Sequence, residues 1–280
     1  MSKIKLTVDS TCDLPVSLAQ KYGVEIIPLY TVLGETALRD GVEVTPDDIY
    51  KYVADNNALP KTSACPLDDY MTHFKKYTDD GYTVIHFSIS SSMSSSHQNA
   101  VIAAGEVGNV FVLDTANLST GSALLVLDAV DMINEGLEAE EIFENLKKNV
   151  PLVRASFVVD NLEYLKMGGR CSAVALLGAN LLKIKPRIDV KDGAMGVGEK
   201  YRGPYAKVLI QYVKQVLAAE SVNTKRVFIT HTKCDEAIVN AVVEEVKNNL
   251  EFEEVYENTA GCVVTSHCGP NTLGVLFEAK

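Results

Sequence analysis

The sequence predicts an α/β protein with two domains, and three features of its 280 residues lead to that prediction. Apolar strand-like runs alternate with helical patterns through the first 160 residues, which is typical of a mostly parallel sheet with helices on both faces. Polar residues follow several of these strands. The later part instead combines a predicted hairpin with amphipathic helices, which indicates a mixed or antiparallel α/β domain. We therefore predict an N-terminal domain over residues 1–155 and a C-terminal domain over 156–280.

The elements of the N-terminal part follow from short apolar runs and helix-start signals. Thr45 precedes Pro46 and two acidic residues, which predicts the start of a helix. Predicted strands cover 4–8, 24–33, 42–44, 82–87, 109–113 and 155–159, and predicted helices cover 15–22, 67–77, 121–135 and 138–149, with another beginning at His97.

In the C-terminal part, Asp192-Gly193 is a typical turn between two strands of a hairpin. Apolar stripes at helical spacing predict two amphipathic helices. The predicted strands are 187–190, 196–200, 227–230, 261–265 and 273–277, and the predicted helical segments are 162–166, 172–182, 204–218 and 235–250.

Composition excludes some classes of function. Hydrophobic residues make up 47% of the chain and charged residues 22%, so it can form a substantial core. The net charge of −11 argues against binding nucleic acid or an anionic membrane through bulk charge. No signal-like or membrane-spanning run is apparent, so we expect a cytoplasmic protein. The six cysteines lack zinc-site spacing, so no metal is predicted.

A run rich in serine, residues 88–96, lies between a predicted strand and a predicted helix. Hydroxyls and backbone N–H groups at a helix N-terminus suit a carboxylate or a phosphate. The carboxyl ends of other predicted strands carry Asp9-Ser10-Thr11 and Asp114-Thr115, and ligands of parallel sheets sit at that edge. The alternative for the serine run is a flexible linker. Thr62-Ser63 resembles the run in position, and its alternative is a cap of the next helix.

His267 and a basic stretch each have a functional interpretation and a purely structural one. His267 lies in a predicted Gly/Pro turn, where it could donate to an anion or move a proton, or be a lone surface histidine. A basic stretch could meet phosphate or an acidic partner, or form a solvated face. That stretch comprises Lys166, Arg170, Lys183, Lys185, Arg187 and Arg202. The motifs G-x-S-x-G, G-x-x-x-x-G-K-[ST] and G-x-G-x-x-G do not occur in the sequence.

The chain resembles the DegV family of bacterial fatty-acid-binding proteins over nearly its whole length. The resemblance rests on several short segments taken together, which are the stretches 8–15, 62–66, the serine run with Gln98, 161–170, 184–186, Arg202-Gly203 and 266–270.

The resemblance implies a non-catalytic carrier without a cofactor, in which a long-chain fatty acid is buried between two α/β domains. It implies that Thr62 and Ser94 hold the carboxylate, with Ser63 and Ser95 beside them, and His267 maps to the family's closing motif. It also implies a partner fatty acid kinase that converts the bound acid to an acyl phosphate for phospholipid synthesis. Lys166, Arg170 and Arg202 are assigned to that partner surface.

The sequence departs from the family pattern at three positions. Ala64 stands where glutamine is usual, and Ser92 and Ser95 stand where glycines are common. Side chains at these positions could alter the geometry around the ligand head. Two other functions stay open. One is a serine-dependent acyl hydrolase that uses Ser94 and His267, and the other is a carrier of a different amphipathic acid.

Overall fold

The computed structural model describes residues 3–172, 184–219 and 221–280. Its strands, numbered in chain order, are β1 (Lys3–Asp9), β2 (Glu25–Ile27), β3 (Tyr30–Leu33), β4 (Thr36–Arg39), β5 (Lys61–Ser63), β6 (Tyr82–Ser88), β7 (Val110–Asp114), β8 (Val153–Val159), β9 (Lys185–Lys191), β10 (Ala194–Tyr201), β11 (Val222–His231), β12 (Glu254–Thr259) and β13 (Thr272–Ala279).

The α-helices, also in chain order, are α1 (Val16–Tyr22), α2 (Pro46–Asn56), α3 (Leu67–Thr78), α4 (Ser96–Val107), α5 (Thr120–Asn134), α6 (Ala139–Asn149), α7 (Glu163–Gly168), α8 (Tyr205–Ala218), α9 (Glu236–Asn249) and α10 (Cys262–Cys268). The α2 helix begins as predicted, because Thr45 and Asp48 form a reciprocal capping box.

The N-terminal sheet is parallel, with strand order β2-β1-β6-β7. Alternate residues of β6 face opposite layers. Val84 packs with α3 and α4, whereas Ile85 and Phe87 join the cluster formed with α5 and α6. This confirms a mostly parallel sheet with helices on both faces. A small antiparallel sheet of order β4-β3-β5 lies beside it and was not predicted.

The second large sheet has strand order β10-β9-β8-β13-β11-β12. It is mixed, because β11 and β12 run parallel while the other pairs are antiparallel. On β8, Val158 packs with α8 and α9, and Phe157 and Val159 face the opposite side. The predicted domain boundary at residue 155 falls inside β8, and the division into two domains stays a prediction.

The structure corrects several predicted elements. The single strand over 24–33 is two strands, β2 and β3, separated by Pro28 and placed in different sheets. The hairpin partner of β3 is β4 at Thr36–Arg39, so the predicted strand over 42–44 is wrong. The predicted strand over 261–265 is wrong too, because this stretch belongs to α10. The helix predicted over 172–182 lies almost wholly outside the described residues.

Candidate functional site

Thr62 and Ser63 lie on β5, which pairs with β3 so that Thr62 is opposite Thr31. Neither hydroxyl caps the following helix, since the N-cap position of α3 is Pro66 and makes no side-chain capping bond. The capping interpretation is therefore wrong. Instead, the Thr62 hydroxyl lies 2.8 Å from Nε2 of His267, more than two hundred residues along the chain.

The serine run is an ordered turn, so the flexible-linker interpretation is wrong. The amide of Ile89 donates to the buried Asp9 carboxylate at 2.9 Å, and the Ser90 hydroxyl donates to the carbonyl of Gly193 at 2.6 Å. The amides of Met93 and Ser94 both donate to the Ser90 carbonyl. Because its polar groups are bonded at these points, the loop holds Ser94 in a defined place.

The two hydroxyl-bearing loops are bonded to each other through Cys65. Its amide donates to the Ser96 hydroxyl at 3.4 Å, and its carbonyl accepts from the Asn99 side chain at 2.9 Å. Ser94 Oγ accepts from the Ser96 amide at 3.1 Å and lies 3.0 Å from the Ser96 hydroxyl. The position of Thr62 is thus coupled to that of Ser94.

His267 is supplied by α10, a helix whose start is held by two acids from the N-terminal half. The amide of Gly261 donates to Asp13 and the amide of Cys262 donates to Asp40. Burial, and then the charge of Arg170, lower the pKa of His267 to about 4. The imidazole is therefore neutral at pH 7, and its buried Nδ1 has no hydrogen-bond partner.

A cavity of about 60 Å³ brings most of the predicted residues together. Thr62, Ser63, Ser94, His267 and Arg170 all lie in its wall. The remaining lining is mostly apolar: Leu29, Ala64, Ile89, Met93, Leu118, Met195, Val263 and Val264, with Cys268 and Thr11. A few polar groups in an apolar wall are the usual composition of a small-molecule site.

The predicted carboxylate-binding residues and the predicted partner-surface residues lie only in part in this cavity wall. Ser95 is exposed and does not line the cavity. Arg170 lies in the cavity wall, where its guanidinium donates to the Gly168 carbonyl at 2.9 Å. Lys166 and Arg202 are exposed, away from this wall.

The basic stretch divides into two kinds of residue. Lys185 pairs with Asp160, and Arg187 pairs with Asp189 at 2.7 Å, so acids neutralise both. Within the described part of the chain, Lys166, Arg170 and Arg202 make no ion pair. Lys183 lies outside the described residues.

Sequence reasoning missed Thr11 as a site residue. Its side chain lines the cavity, Thr11 is 1% exposed, and its Oγ1 is buried without a hydrogen-bond partner. The available signal is its place in the polar triplet Asp9-Ser10-Thr11 at the carboxyl end of β1. A buried hydroxyl without a partner is costly, so a ligand that bonds it would gain affinity.

The departures from the family pattern have small structural effects. Ala64 lines the cavity, whereas Ser92 and Ser95 are exposed and do not. Ser95 has φ −73° and ψ −2°, which any residue adopts, so no glycine is needed there. Of the three, Ala64 is the position that changes the cavity wall.

No group of three or more His, Cys, Asp or Glu side chains among the described residues could hold a metal ion. None of the helices in the described ranges has both the length and the apolar character needed to cross a bilayer.

The fold and the cavity together define an α/β protein with a mainly apolar cavity, whose wall carries hydroxyls from two bonded segments and a histidine from one short helix. The chain belongs to the DegV family, described as uncharacterised proteins, whose family model matches residues 3–280. A fatty acid-binding protein of Thermotoga maritima is 31% identical over 284 residues, which cover 99% of this chain and 98% of that protein.

Solved structures of DegV proteins share the fold. A DegV family protein from Thermus thermophilus, described for its fatty acid binding, has a TM-score of 0.90 at 33% identity, covering 99% of this chain and all of the other. A stearic acid-binding protein from Eubacterium ventriosum has a TM-score of 0.87 at 29% identity, covering 99% and 98% of the two chains. Fatty acid binding by DegV proteins thus rests on experimental structures.

Proposed function

We propose that this protein binds a long-chain fatty acid without transforming it, and presents its carboxylate to a partner kinase. The observation that carries the proposal is the meeting of Thr62, from strand β5, and Ser94, from the serine-rich turn, at one mainly apolar cavity. The fatty acid binding of similar DegV proteins supports it. A cytoplasmic location stays part of the prediction.

The physical chemistry of the site suits such a ligand. Burying an acyl chain contributes about 0.8 kcal/mol per CH₂, which supplies most of the affinity. Each hydroxyl that donates to the carboxylate adds about 1.5–3 kcal/mol and sets the direction of the chain. The Ser94 and Thr62 hydroxyls are neutral donors, so they lower the nucleophilicity of the carboxylate oxygen less than a cation bound directly to it would.

His267 acts in this proposal by orienting Thr62. A neutral imidazole with its proton on Nε2 donates to Thr62 Oγ1 across the 2.8 Å contact. The Thr62 hydroxyl then directs its own proton to the carboxylate. Arg170, in the same wall, supplies positive charge close to the ligand head and to the phosphoryl group that the kinase transfers.

The kinase surface is proposed from charge. In a protein of net charge −11, Lys166, Arg170 and Arg202 are cations without ion pairs among the described residues. Such residues suit an acidic partner or its bound nucleotide phosphates. The partner phosphorylates the carboxylate, and the resulting acyl phosphate enters phospholipid synthesis.

The hydrolase alternative lacks the geometry that nucleophilic catalysis uses. The Ser94 hydroxyl contacts Ser96, while His267 contacts Thr62, so no hydrogen bond joins the supposed nucleophile to its base. The buried Nδ1 of His267 also has no partner to orient the ring. Labelling of Ser94 by a fluorophosphonate probe with turnover of an ester would restore this alternative.

The first test identifies the ligand. Native mass spectrometry of the purified protein, with analysis of its organic extract, should reveal a bound fatty acid; another amphipathic acid would support the second alternative, and repeated absence of lipid would refute both. The Thr62→Ala/Ser94→Ala double variant should bind palmitate at least about tenfold more weakly without unfolding. Ser91→Ala, in the same loop but exposed and outside the cavity wall, is the matched control.

The second test addresses the partner. Arg202→Ala should slow acyl phosphorylation by the kinase and leave palmitate affinity unchanged, because Arg202 is exposed and does not line the cavity. Lys200→Ala removes a neighbouring exposed cation and is the control. Equal phosphorylation rates in both variants and the wild type would refute the assigned surface.

A further inference from the structure

The tip of the β9–β10 hairpin contacts the serine run. Ala194 pairs with Lys191, so the two strands are joined by the two-residue turn Asp192-Gly193. Both turn residues have a positive φ, +51° and +79°, as in a type I′ turn. The Ser90 hydroxyl donates to the carbonyl of Gly193 at 2.6 Å, and this bond joins the serine run to the second large sheet.

Ser90 is the residue through which this contact reaches Ser94. It is fully buried, and its carbonyl accepts the amides of Met93 and Ser94 at 2.9 and 3.2 Å. Its hydroxyl also accepts the amide of Ser92 at 3.2 Å. Because these bonds close the turn around Ser90, a shift of Ser90 changes the direction in which the Ser94 side chain points.

Gly193 leaves room for the Ser90 hydroxyl because it has no side chain. It is buried, and a Cβ atom at this position would lie 2.8 Å from Ser90 Oγ and 3.4 Å from Ser92 Oγ. Glycine therefore meets two requirements here, the positive φ of the turn and the space that Ser90 occupies. Met195, two residues further along the hairpin, lines the same cavity as Ser94, so the hairpin and the serine run build part of one wall together.

We infer that Ser90 and Gly193 are positioning residues for the ligand head: the hairpin tip holds Ser90, and Ser90 aims the Ser94 hydroxyl at the carboxylate. This inference rests on the proposed function. Neither Ser90 nor Gly193 lines the cavity, so both act through Ser94. The second large sheet thus contributes to carboxylate binding through one hydrogen bond at the tip of its edge hairpin.

A double-mutant cycle tests whether Ser90 acts through Ser94. Ser90→Ala removes the bond to Gly193 and should raise the Kd of delipidated protein for palmitate by at least about fivefold. In a Ser94→Ala background, Ser90→Ala should have no further effect on Kd. Ser91→Ala, at an exposed position of the same turn, is the matched control and should keep the wild-type Kd. Effects of Ser90→Ala and Ser94→Ala that multiply in the double variant would overturn the inference.

Gly193→Ala tests the same path and keeps the Ser90 hydroxyl, so it decides the question if Ser90→Ala does not fold. The new methyl group must displace Ser90 Oγ, and the Kd for palmitate should again rise by at least about fivefold. Gly108→Ala is the matched control, because Gly108 has φ +76° and a methyl group there meets no atom within 4 Å. Both variants should lower the melting temperature through their strained φ, but only Gly193→Ala should weaken binding. Equal Kd values for the two variants would overturn the inference.

The NMR signal of the bound carboxylate separates positioning from a general loosening of the fold. In protein saturated with palmitate labelled with ¹³C at its carboxyl carbon, the chemical shift reports the hydrogen bonds to the ligand head. Ser90→Ala and Gly193→Ala should move this signal in the same direction as Ser94→Ala, whereas both controls should leave it in place. Wild-type protein that binds no palmitate refutes the proposed function and the inference with it. Wild-type protein that binds palmitate, with a carboxyl signal unchanged by Ser90→Ala and Gly193→Ala, refutes only the inference.

Discussion

Gly168 is a sensitive point of the site, although it carries no side chain that could contact the ligand. It is the last residue of α7, and a methyl group there would lie 3.2 Å from Cε1 and 3.3 Å from Cγ of His267, and closer than 3.0 Å to Nδ1. Helix propensity alone predicts that Gly168→Ala stabilises α7 by up to about 1 kcal/mol. The contact of this methyl group with His267 instead predicts that Gly168→Ala weakens ligand binding.

The magnitude follows from the displacement. To reach an ordinary contact distance, the imidazole must retreat by roughly 1 Å. That movement stretches its 2.8 Å contact with Thr62 beyond hydrogen-bonding range. If Thr62 then loses its orientation, the carboxylate loses about 1.5 kcal/mol, which is about tenfold in Kd.

Isothermal titration of delipidated protein with palmitate measures this loss. Gly105→Ala is the control, because Gly105 is inside α4 and a methyl group there meets no atom within 4 Å. In a His267→Ala background, Gly168→Ala should have no further effect on Kd, since the clash is gone. Wild-type affinity in Gly168→Ala, with weakened binding in Thr62→Ala, would refute the coupling through His267.

Three other predictions follow from buried polar groups. Thr11→Val should weaken palmitate binding by about tenfold and leave the melting temperature equal or higher, because the hydroxyl it removes has no protein partner; a lower melting temperature with unchanged Kd would contradict this. Burial raises the pKa of Asp13 from 3.8 to about 7, so its favourable contribution is complete below pH 4 and lost as the pH rises through about 7. Urea unfolding at pH 5 and pH 8 should show stability falling by roughly 2–3 kcal/mol in the wild type and much less in Asp13→Asn, because about two of the three pH units of the shift lie between these conditions; parallel pH curves would contradict the assignment. NMR titration of the ligand-free protein should find His267 neutral down to about pH 4. A measured pKa near 6.5 for His267 would refute the effect of its burial.

The serine run illustrates how far local pattern reasoning reaches. Its composition and its place between a strand and a helix predict a polar site, and Ser94 does lie in the cavity wall. The pattern could not separate Ser94 from Ser95, because adjacent residues of a turn point in different directions. Only the bonds of Ile89 to Asp9 and of Ser90 to Gly193 decide which hydroxyl faces inward.

Residues 261–265 show where local reasoning fails. Val263, Val264 and Thr265 are β-branched and predict a strand, yet they form α10. Carboxylates of Asp13 and Asp40 accept the first amides of this helix, and both are more than two hundred residues away in the chain. The acidic strand β12 was missed for a related reason: only its parallel pairing with β11 reveals it.

The alternation of apolar runs and amphipathic patterns was enough to predict the parallel sheet, its two layers of helices and the mixed sheet that follows. Burial of one face of a strand or helix requires apolar residues at a regular spacing, and that spacing is visible in a short stretch of sequence. The placement of His267 against Thr62 and the inclusion of Arg170 and Thr11 in the cavity wall were decided only by the tertiary structure. These features depend on contacts between distant parts of the chain, and no local period encodes them.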